Sequence, residues 1–306
     1  MKYYFIVNAR AGNGKDADFF AKQIEEVKND FDIEVYYTVS KEDASKTIND
    51  ICEKNPDEKC FVACGGDGTI NHVVSSIYGR SNTYFSVCPL GSGNDFVKCF
   101  EKDSFRNIKN ILNGTLMDID LVKANDRLCV NIANFGFDTV VAQTVNDARE
   151  KKGHAGKAYY TKGIIKALVS AMRNEAKVYA NGELLNENGE YLLCTIGNGQ
   201  YVGGSFNCSP RAMLNDGMLE VCLVKCISRL KFVTMIGNYT NGTHLDDKNC
   251  MKIMVYRRVN NIKVVAPKGL TYTLDGEIMN TTELNISVIP HAIKLITPGK
   301  PLYEEK

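Results

Sequence analysis

Three short segments of the sequence combine glycines with polar side chains in a way that suits phosphate binding. Each follows an apolar run and precedes a stretch with helical spacing. At the carboxyl edge of a parallel sheet, such loops present free backbone N–H groups and the positive ends of helices. We therefore expect an anion site at this edge. The segments are Asn8-Ala9-Arg10-Ala11-Gly12-Asn13-Gly14-Lys15, Gly65-Gly66-Asp67-Gly68-Thr69 and Leu90-Gly91-Ser92-Gly93-Asn94-Asp95.

An acidic residue inside a phosphate loop needs a cation, because a bare carboxylate would repel a polyphosphate. Magnesium removes the conflict, since it binds one or two carboxylates together with phosphate oxygens and water. The candidates for such a water-mediated network are Asp67, Asp95 and Asp118. The ordinary alternative is a plain strand-to-helix turn. For a single loop, an ordinary turn explains the sequence as well as a phosphate site does. For three loops at one edge of the sheet, an ordinary turn explains it less well.

Two familiar loop motifs fit less well. Gly14-Lys15 fails as a Walker A loop, because Ala9 stands where glycine is required and Asp16 stands where a magnesium-binding hydroxyl belongs. Gly12 to Ala17 matches the dinucleotide fingerprint G-x-G-x-x-G/A, but no acid follows the second predicted strand. A nicotinamide oxidoreductase would also leave the other two loops without a role.

The elements that position these loops form an α/β pattern in the first third of the chain. Short β-branched and aromatic runs alternate with helical segments, which predicts a parallel sheet flanked by helices. The predicted strands are 3–7, 33–38, 60–64 and 84–88, and the predicted helices include 16–28 and the segment after 69.

From about Leu128 the pattern changes to short strands separated by turn pairs such as Asn181-Gly182 and Asp275-Gly276. This predicts a mostly antiparallel β domain, interrupted by helices at about 155–173 and 228–239. The change of pattern predicts a first domain of residues 1–125 and a second domain of residues 126–290. A cleft between two such domains is the default position for a site.

Composition excludes several classes of protein. Lys plus Arg (37) and Asp plus Glu (36) nearly cancel, so no bulk basic charge points to nucleic acid. The opening residues are too brief an apolar run for a signal peptide or a spanning helix. Eleven scattered cysteines indicate reduced, buried thiols and a cytoplasmic location.

The second loop, read with later blocks, resembles a known family. A G-G-D-G-T loop after a buried strand is shared by diacylglycerol, sphingosine and NAD kinases. The chain resembles the bacterial soluble diacylglycerol kinases over nearly its whole length. The later blocks that carry the resemblance are Pro89 to Phe96, Asn134 to Asp138, Gly197 to Gly204, Asn215 to Glu220 and Leu274 to Glu277.

This resemblance implies an ATP- and magnesium-dependent lipid kinase with an NAD kinase-like first domain and a β-sandwich second domain. It also implies that a returning segment at about 291–306 belongs to the first domain. Asp275 and Glu277 fall at the family's catalytic D-x-E, and they would share the base and orienting roles. Asp216, with the carbonyls of Met213 and Met218, would hold a structural magnesium. The implied nucleotide contacts are Asn8, Ala9, Arg10, Ala11, Gly12, Thr38, Gly65, Gly66, Asp67, Gly68, Thr69, Ile70, Asn71, His72, Ser92, Asn94 and Asp95.

Three positions depart from the family pattern. Asn8-Ala9 replaces Asn-Pro, Ser92 replaces Thr, and His72 replaces a Glu. The first two preserve the chemistry of the loops, whereas His72 removes a negative charge beside the expected nucleotide.

The expected partners follow from the same resemblance. A membrane lipid would be the substrate, and the enzyme would touch an anionic membrane surface from the cytoplasm. The segment from Arg149 to Arg173 carries seven basic residues against one acid, Glu150, and is in part an amphipathic helix with Ile164, Ile165, Leu168 and Met172. Packing of that helix on its own domain is an equal alternative. The oligomeric state stays open between a monomer and a homodimer.

Two other functions also stay open. One is a kinase of a soluble substrate such as NAD, and the other is a nucleotide-binding regulator that has lost catalysis. The D-G-x-L and D-G-E blocks argue against the first, and retention of Asp67, Asp95, Asp275 and Glu277 argues against the second.

Overall fold

The computed structural model describes residues 1–9, 15–91, 93–152 and 157–303. Four predicted site residues, Arg10, Ala11, Gly12 and Ser92, lie outside these ranges. The chain divides into two compact units, Met1–Leu121 with Pro290–Lys306 and Val122–Ile289.

The first unit is an α/β domain built on a parallel sheet. Its strands are β1 (Lys2–Asn8), β2 (Ile33–Thr38), β3 (Lys59–Gly65), β4 (Thr83–Pro89), β5 (Thr115–Ala124) and β16 (Glu277–Thr297), the last two being shared with the second unit. In the sheet, β4, β3, β1 and β2 are neighbours in that order. The carboxyl-terminal part of β16 lies beside β4, where Leu295 pairs in parallel with Phe85.

Near-continuous apolar runs explain why these strands are central, since a parallel sheet is covered on both faces. Every residue of β3 is buried. The helices of this unit are α1 (Lys15–Val27), α2 (Lys41–Lys54), α3 (Asp67–Ile77) and α4 (Ile108–Leu112). The predicted strands are confirmed, and so is the helical spacing that buries Ile70, Val73, Val74 and Ile77.

The parallel register brings the glycine loops to one edge of the sheet. Val7 of β1 pairs with Cys64 of β3, and Gly65 of β3 pairs with Pro89 of β4. The chain segments that follow β3 and β4 therefore leave the sheet side by side.

The second unit is a mostly antiparallel β-sandwich, which confirms the predicted fold class. Its strands are β6 (Arg127–Cys129), β7 (Ile132–Gly136), β8 (Asn174–Glu175), β9 (Lys177–Ala180), β10 (Glu183–Leu184), β11 (Glu190–Tyr191), β12 (Leu193–Gly197), β13 (Leu219–Val224), β14 (Met254–Val259) and β15 (Asn261–Leu274). The strands of its main sheet are neighbours in the order β14-β13-β12-β7-β15, and buried aliphatic and aromatic side chains fill the interior.

Helices in this unit pack on a separate apolar cluster that includes Phe137, Leu193 and Phe232. They are α5 (Phe137–Lys152), α6 (Lys157–Ser170), α7 (Arg229–Asn241) and α8 (Lys248–Met251). No helix in the described part of the chain is long and apolar enough to cross a membrane.

The sequence interpretation missed α5, which lies where only short strands were expected. Gly136 ends β7 with a φ of 93°, a conformation that L side chains rarely adopt, and the helix begins at the next residue. Val141, Val145 and Ala148 recur along α5 at helical spacing, so a signal was present.

We expect Gly65→Ala to destabilise the protein, because a Cβ at this position would clash with Thr69 Oγ1 and lie 2.7 Å from Thr69 Cβ. Overpacking of this kind typically costs about 1–3 kcal/mol. Urea unfolding measures the change.

Gly68→Ala is the matched control in the same loop, since a Cβ there meets nothing within 4 Å. Alanine in the first turn of α3 should be neutral or stabilise by up to about 1 kcal/mol. Equal destabilisation by both variants would contradict the packing argument.

Candidate functional site

The two described glycine loops of the first unit pack directly against each other. A Cβ at Gly91 would overlap Gly66 Cα and approach Asn94 Oδ1 to 2.8 Å. The N–H groups of Leu90 and Gly91 both donate to the carbonyl of Gly65, at 2.9 and 3.2 Å. Backbone rather than side chains thus forms this part of the sheet edge.

Asn94 fixes the shape of the third loop. Its φ is 51°, in the left-handed region. Its side-chain oxygen accepts a hydrogen bond from Gly91 N at 3.1 Å, while its amide donates to Gly91 O at 2.6 Å. Asparagine tolerates this backbone conformation better than most residues. The conformation of the loop therefore explains why an asparagine stands at position 94.

Asp67 and Asp95 border the same turn. A Cβ at Gly93 would lie 3.2 Å from Asp67 Oδ2 and 3.8 Å from Asp95 Oδ2. Asp67 Oδ1 accepts from Phe96 N at 3.1 Å. Carboxylate oxygens are ligands of the kind that magnesium prefers, so two carboxylates at one turn suit the predicted ion.

Lys98, which the sequence interpretation did not single out, supplies positive charge to the same turn. Its ammonium donates to Asp95 Oδ1 and to Gly93 O, both at 2.7 Å. Asp95 and Lys98 are three residues apart, a spacing that could have identified the pair.

Asp118 lies on β5 with an exposed side chain, and its carboxylate is 3.2 Å from Lys294 Nζ. Asp120, two residues further along, is fully buried and accepts a hydrogen bond from His291 N at 2.8 Å. Within the described part of the chain, no group of three or more His, Cys, Asp or Glu side chains is arranged to bind a metal directly. The water-mediated network through Asp67, Asp95 and Asp118 stays a prediction.

Other predicted nucleotide contacts divide between loop and core positions. Asn8 Nδ2 donates to Thr69 Oγ1 at 3.4 Å, which joins the end of β1 to the start of α3. The Thr38 hydroxyl donates to Val7 O at 3.2 Å. Ile70 is buried in the core, so its backbone is the part that a ligand could reach.

His72 faces α2. Its Nε2 lies 2.8 Å from Ser45 Oγ and is also hydrogen-bonded to the carbonyl of Lys41. Burial lowers the pKa of this imidazole, which favours its neutral form. The residue that departs from the family pattern thus contributes to packing between α2 and α3.

Asp275 occupies the hairpin turn between β15 and β16, and its carboxylate is held by backbone donors. Asp275 and Gly276 have φ values of 48° and 86°, as a two-residue Asp-Gly hairpin turn requires. Oδ1 accepts from Asn131 N and Ile132 N, each at 3.0 Å, and Oδ2 accepts from Val130 N at 2.8 Å.

A thiol and an amide complete this arrangement. Cys129 Sγ donates to Asp275 Oδ1 at 3.2 Å. Burial and the neighbouring Asp275 carboxylate raise the pKa of Cys129, so it stays a thiol. Asn146 of α5 donates to Gly276 O at 3.0 Å. Glu277 is half-buried at the start of β16 and pairs with Leu274.

Asp216 has a different environment. Its Oδ1 accepts from Met218 N at 3.0 Å, and its other oxygen forms an ion pair with Arg258 of β14. One carboxylate and two carbonyls suit magnesium in kind, but an ion here would share Asp216 with the guanidinium group. The structural magnesium at Met213, Asp216 and Met218 stays a prediction.

Asp138, in the first turn of α5, is a buried acid that sequence reasoning placed in a family block without a role. Burial raises its pKa to about 7, and its Oδ2 has no hydrogen-bond partner among the residues that the structure describes. Glu220 of β13 is similar, because burial also raises its pKa to about 7.

Comparisons with known proteins agree with this architecture. Residues 2–124 match the model of the diacylglycerol kinase catalytic domain, and residues 131–297 match that of the YegS C-terminal NAD kinase beta sandwich-like domain. A crystal structure of a diacylglycerol kinase from Bacillus anthracis str. Sterne superposes with a TM-score of 0.73 at 19% identity, covering 97% of this chain and 96% of that one. This likeness supports the fold.

Proteins of similar sequence are named as lipid kinases or as a diacylglycerol kinase. "Probable lipid kinase YegS-like" of Pseudomonas aeruginosa (strain PAO1) is 32% identical over 80% of this chain and 79% of its own. The corresponding protein of Enterobacter sp. (strain 638) is 27% identical over 95% and 96%. "Diacylglycerol kinase" of Bacillus subtilis (strain 168) is 29% identical over 71% and 70%.

The matched domains and the sequence relatives define a phosphotransferase of the lipid kinase class. Within that class, the chain belongs to the diacylglycerol kinase family with a YegS-type C-terminal domain.

The buried acid Asp138 predicts a pH dependence of stability. Its folded pKa of about 7 lies above its ordinary value of 3.8, so the folded state binds the extra proton between these values and loses stability as pH rises through them. Asp138→Asn should reduce this fall by up to about 1.4 kcal/mol per pH unit. Urea unfolding across that range measures it, with exposed Asp126→Asn as the control. Parallel curves for the wild type and Asp138→Asn would contradict a raised pKa.

Arg258 predicts how Asp216 responds to magnesium. Removing the guanidinium group in Arg258→Ala should strengthen magnesium binding at Asp216, because two cations no longer compete for one carboxylate. Thermal unfolding with and without magnesium, in the absence of nucleotide, should show a larger ion-dependent rise in Tm for Arg258→Ala than for the wild type. Adding Asp216→Asn should abolish that rise, and a rise that survives this change would place the ion elsewhere.

Proposed function

We propose that this protein is an ATP-dependent lipid kinase that transfers the γ-phosphate, with magnesium, to the hydroxyl of diacylglycerol or a related lipid alcohol. The product is phosphatidic acid or its analogue. The observation that carries the proposal is the Asp275 carboxylate, which three consecutive backbone N–H groups hold in one orientation. Family membership supports the acceptor class.

Phosphoryl transfer depends mainly on positioning and on stabilising the charge of the phosphate, and a carboxylate accepts the proton of the attacking hydroxyl late in the reaction. Asp275 is suited to that last task. Three backbone N–H groups hold both of its oxygens in a fixed orientation. Glu277, two residues after Asp275 and the first residue of β16, shares the task of orienting or accepting the proton.

The first unit supplies the nucleotide side of the reaction in this proposal. The start of α3, which follows Gly66 and has no side-chain cap, would present backbone N–H groups to phosphate oxygens. Asp67 and Asp95 are the carboxylates that would hold magnesium, which neutralises charge on the transferred phosphate. Lys98 orients Asp95.

We expect labelled ATP with magnesium to label a lipid in mixed micelles containing diacylglycerol and sphingoid alcohols, and not NAD offered alongside. Glu277→Gln and Asp275→Asn should each lower kcat, the second by about 100-fold or more, as expected for loss of a general base. Asp126→Asn, an exposed turn residue of the same unit, is the matched control.

Asp275→Asn also places an amide N–H₂ against a backbone donor, which costs about 1–3 kcal/mol of stability. Its activity is therefore measured below its melting transition. Label only in NAD would indicate a soluble acceptor, and no label in any acceptor would indicate a regulator. Equal lipid labelling by all four proteins would remove Asp275 and Glu277 from the mechanism.

A further inference from the structure

The backbone groups that hold the Asp275 carboxylate can themselves be held from the opposite side. The N–H of Asn131 shares its peptide unit with the carbonyl of Val130, and the N–H of Ile132 shares its unit with the carbonyl of Asn131. A trans peptide unit is planar, so its N–H and C=O point in opposite directions. Any group that fixes one of these carbonyls therefore also fixes the N–H on the other side.

Asn198 fixes both carbonyls. Its side-chain amide donates to the carbonyl of Val130 at 2.8 Å. Its backbone N–H and that of Gly199 both donate to the carbonyl of Asn131, at 2.9 and 3.0 Å. The N–H groups of these same two peptide units are the ones that donate to Oδ1 of Asp275. One residue and its neighbour thus bind, from behind, two of the three backbone donors.

The register of two strands explains why Asn198 lies there. Asn198 comes directly after β12, whose last residue, Gly197, pairs with Ile132, the first residue of β7. The chain therefore passes the backbone donors immediately after the strand ends. Asn131 strengthens the same junction, because its side-chain amide donates to the carbonyl of Tyr201 at 2.8 Å.

Burial and chemical type suit Asn198 to this task. The residue is fully buried, where hydrogen bonds are stronger than in water. Aspartate has the same shape as asparagine but no N–H to donate, and alanine has neither an amide nor the same length. Asn198 belongs to the block from Gly197 to Gly204 that carries the family resemblance, and that resemblance implied no role for it.

The ordinary alternative is that Asn198 only satisfies a buried carbonyl. Buried carbonyls are generally hydrogen-bonded whatever their function. Asn186 of the same unit is such a case, since its side-chain amide donates to Ala176 O at 2.8 Å and its oxygen accepts from Val178 N at 3.0 Å. Asn198 differs from Asn186 because the two peptide units that it binds are donors to Asp275.

We propose that Asn198 is a positioning residue for phosphoryl transfer, acting through the two peptide units that orient Oδ1 of Asp275. The inference rests on the proposed function, in which the Asp275 carboxylate accepts the proton of the attacking hydroxyl. Loss of the side-chain amide would let the peptide unit between Val130 and Asn131 rotate, so Asp275 would lose its fixed direction. A displaced base slows proton transfer without removing the contacts that bind ATP or lipid.

Kinetics of Asn198→Ala with labelled ATP and diacylglycerol micelles test this role. We expect kcat to fall by about tenfold or more, and KM for ATP and for the lipid to change by less than about twofold. Asn186→Ala is the matched control, because it also removes a buried amide donor from a backbone carbonyl of the same unit. Both variants should lower Tm, and only Asn198→Ala should lower kcat. Each variant is assayed below its own melting transition.

A double-mutant cycle with Asp275→Asn separates positioning from general damage. Adding Asn198→Ala to Asp275→Asn should lower kcat by less than about a further twofold, because the base is already lost. A full further loss on that background would overturn the proposal. Unchanged kcat in Asn198→Ala would also overturn it, and so would an equal fall in Asn186→Ala.

Asn198→Ser keeps the test decisive if Asn198→Ala is unfolded at the assay temperature. Serine retains a hydroxyl donor on a shorter side chain, so a smaller fall in kcat is expected. The same cycle and the same control apply, and unchanged kcat would again overturn the proposal.

Hydrogen exchange without substrate distinguishes failure of this inference from failure of the proposed function. The amides of residues 130–132 should exchange faster in Asn198→Ala than in the wild type, and at the wild-type rate in Asn186→Ala. If the wild type phosphorylates no lipid and this exchange increases, the proposed function fails while the link from Asn198 to Asp275 stands. If the wild type phosphorylates lipid and exchange in Asn198→Ala is unchanged, the proposed function stands and the positioning role fails.

Discussion

Close approach of two backbone segments at the carboxyl edge of the parallel sheet is the constraint on which the first unit depends. Thr69 packs in the space that a side chain at Gly65 would fill, and Gly66 contacts Gly91. The turns after β3 and β4 therefore pack together without side chains between them. That packing sets where α3 begins and where Asp67 and Asp95 meet around Gly93. A side chain at Gly91 would clash with Gly66, and one at Gly65 would clash with Thr69, so the short distances alone require glycine at both positions.

In the second unit, the main constraint is on the orientation of one carboxylate, that of Asp275. A hairpin turn alone would leave Asp275 free to rotate. The run from Val130 to Ile132 instead directs three successive N–H groups at it, and Asn146 fixes the adjacent carbonyl of Gly276. The backbone donors fix the orientation of the carboxylate, and Asn146 of α5 fixes the turn that carries it.

Hydrophobic spacing and turn residues were enough to predict the α/β first domain, the mostly antiparallel second domain, the strands of the parallel sheet and the Asp275-Gly276 hairpin. They could not identify the partners of Asp275, since backbone donors 143 to 145 residues away have no side-chain signature. Helix α5 was missed because its spacing follows a strand directly, with Gly136 as the only turn signal. The exposed side of α6 could not be predicted either, because Ile164 and Ile165 are equally apolar and only the apolar cluster beneath the helix decides which one is buried.

Asp216 and Asp275 show why the same turn dipeptide does not carry the same role. Both are followed by glycine, and the sequence alone makes both plain turns. One oxygen of Asp216 forms an ion pair with the guanidinium group of Arg258. Among the partners of Asp275 that the structure describes are three backbone N–H groups and the Cys129 thiol, whose pKa is raised. A carboxylate that backbone donors hold in one orientation is suited to take up a proton from a hydroxyl, whereas a carboxylate oxygen already bonded to a guanidinium group is less accessible. The environment, more than the motif, therefore favours Asp275 over Asp216 as the acid that acts in phosphoryl transfer.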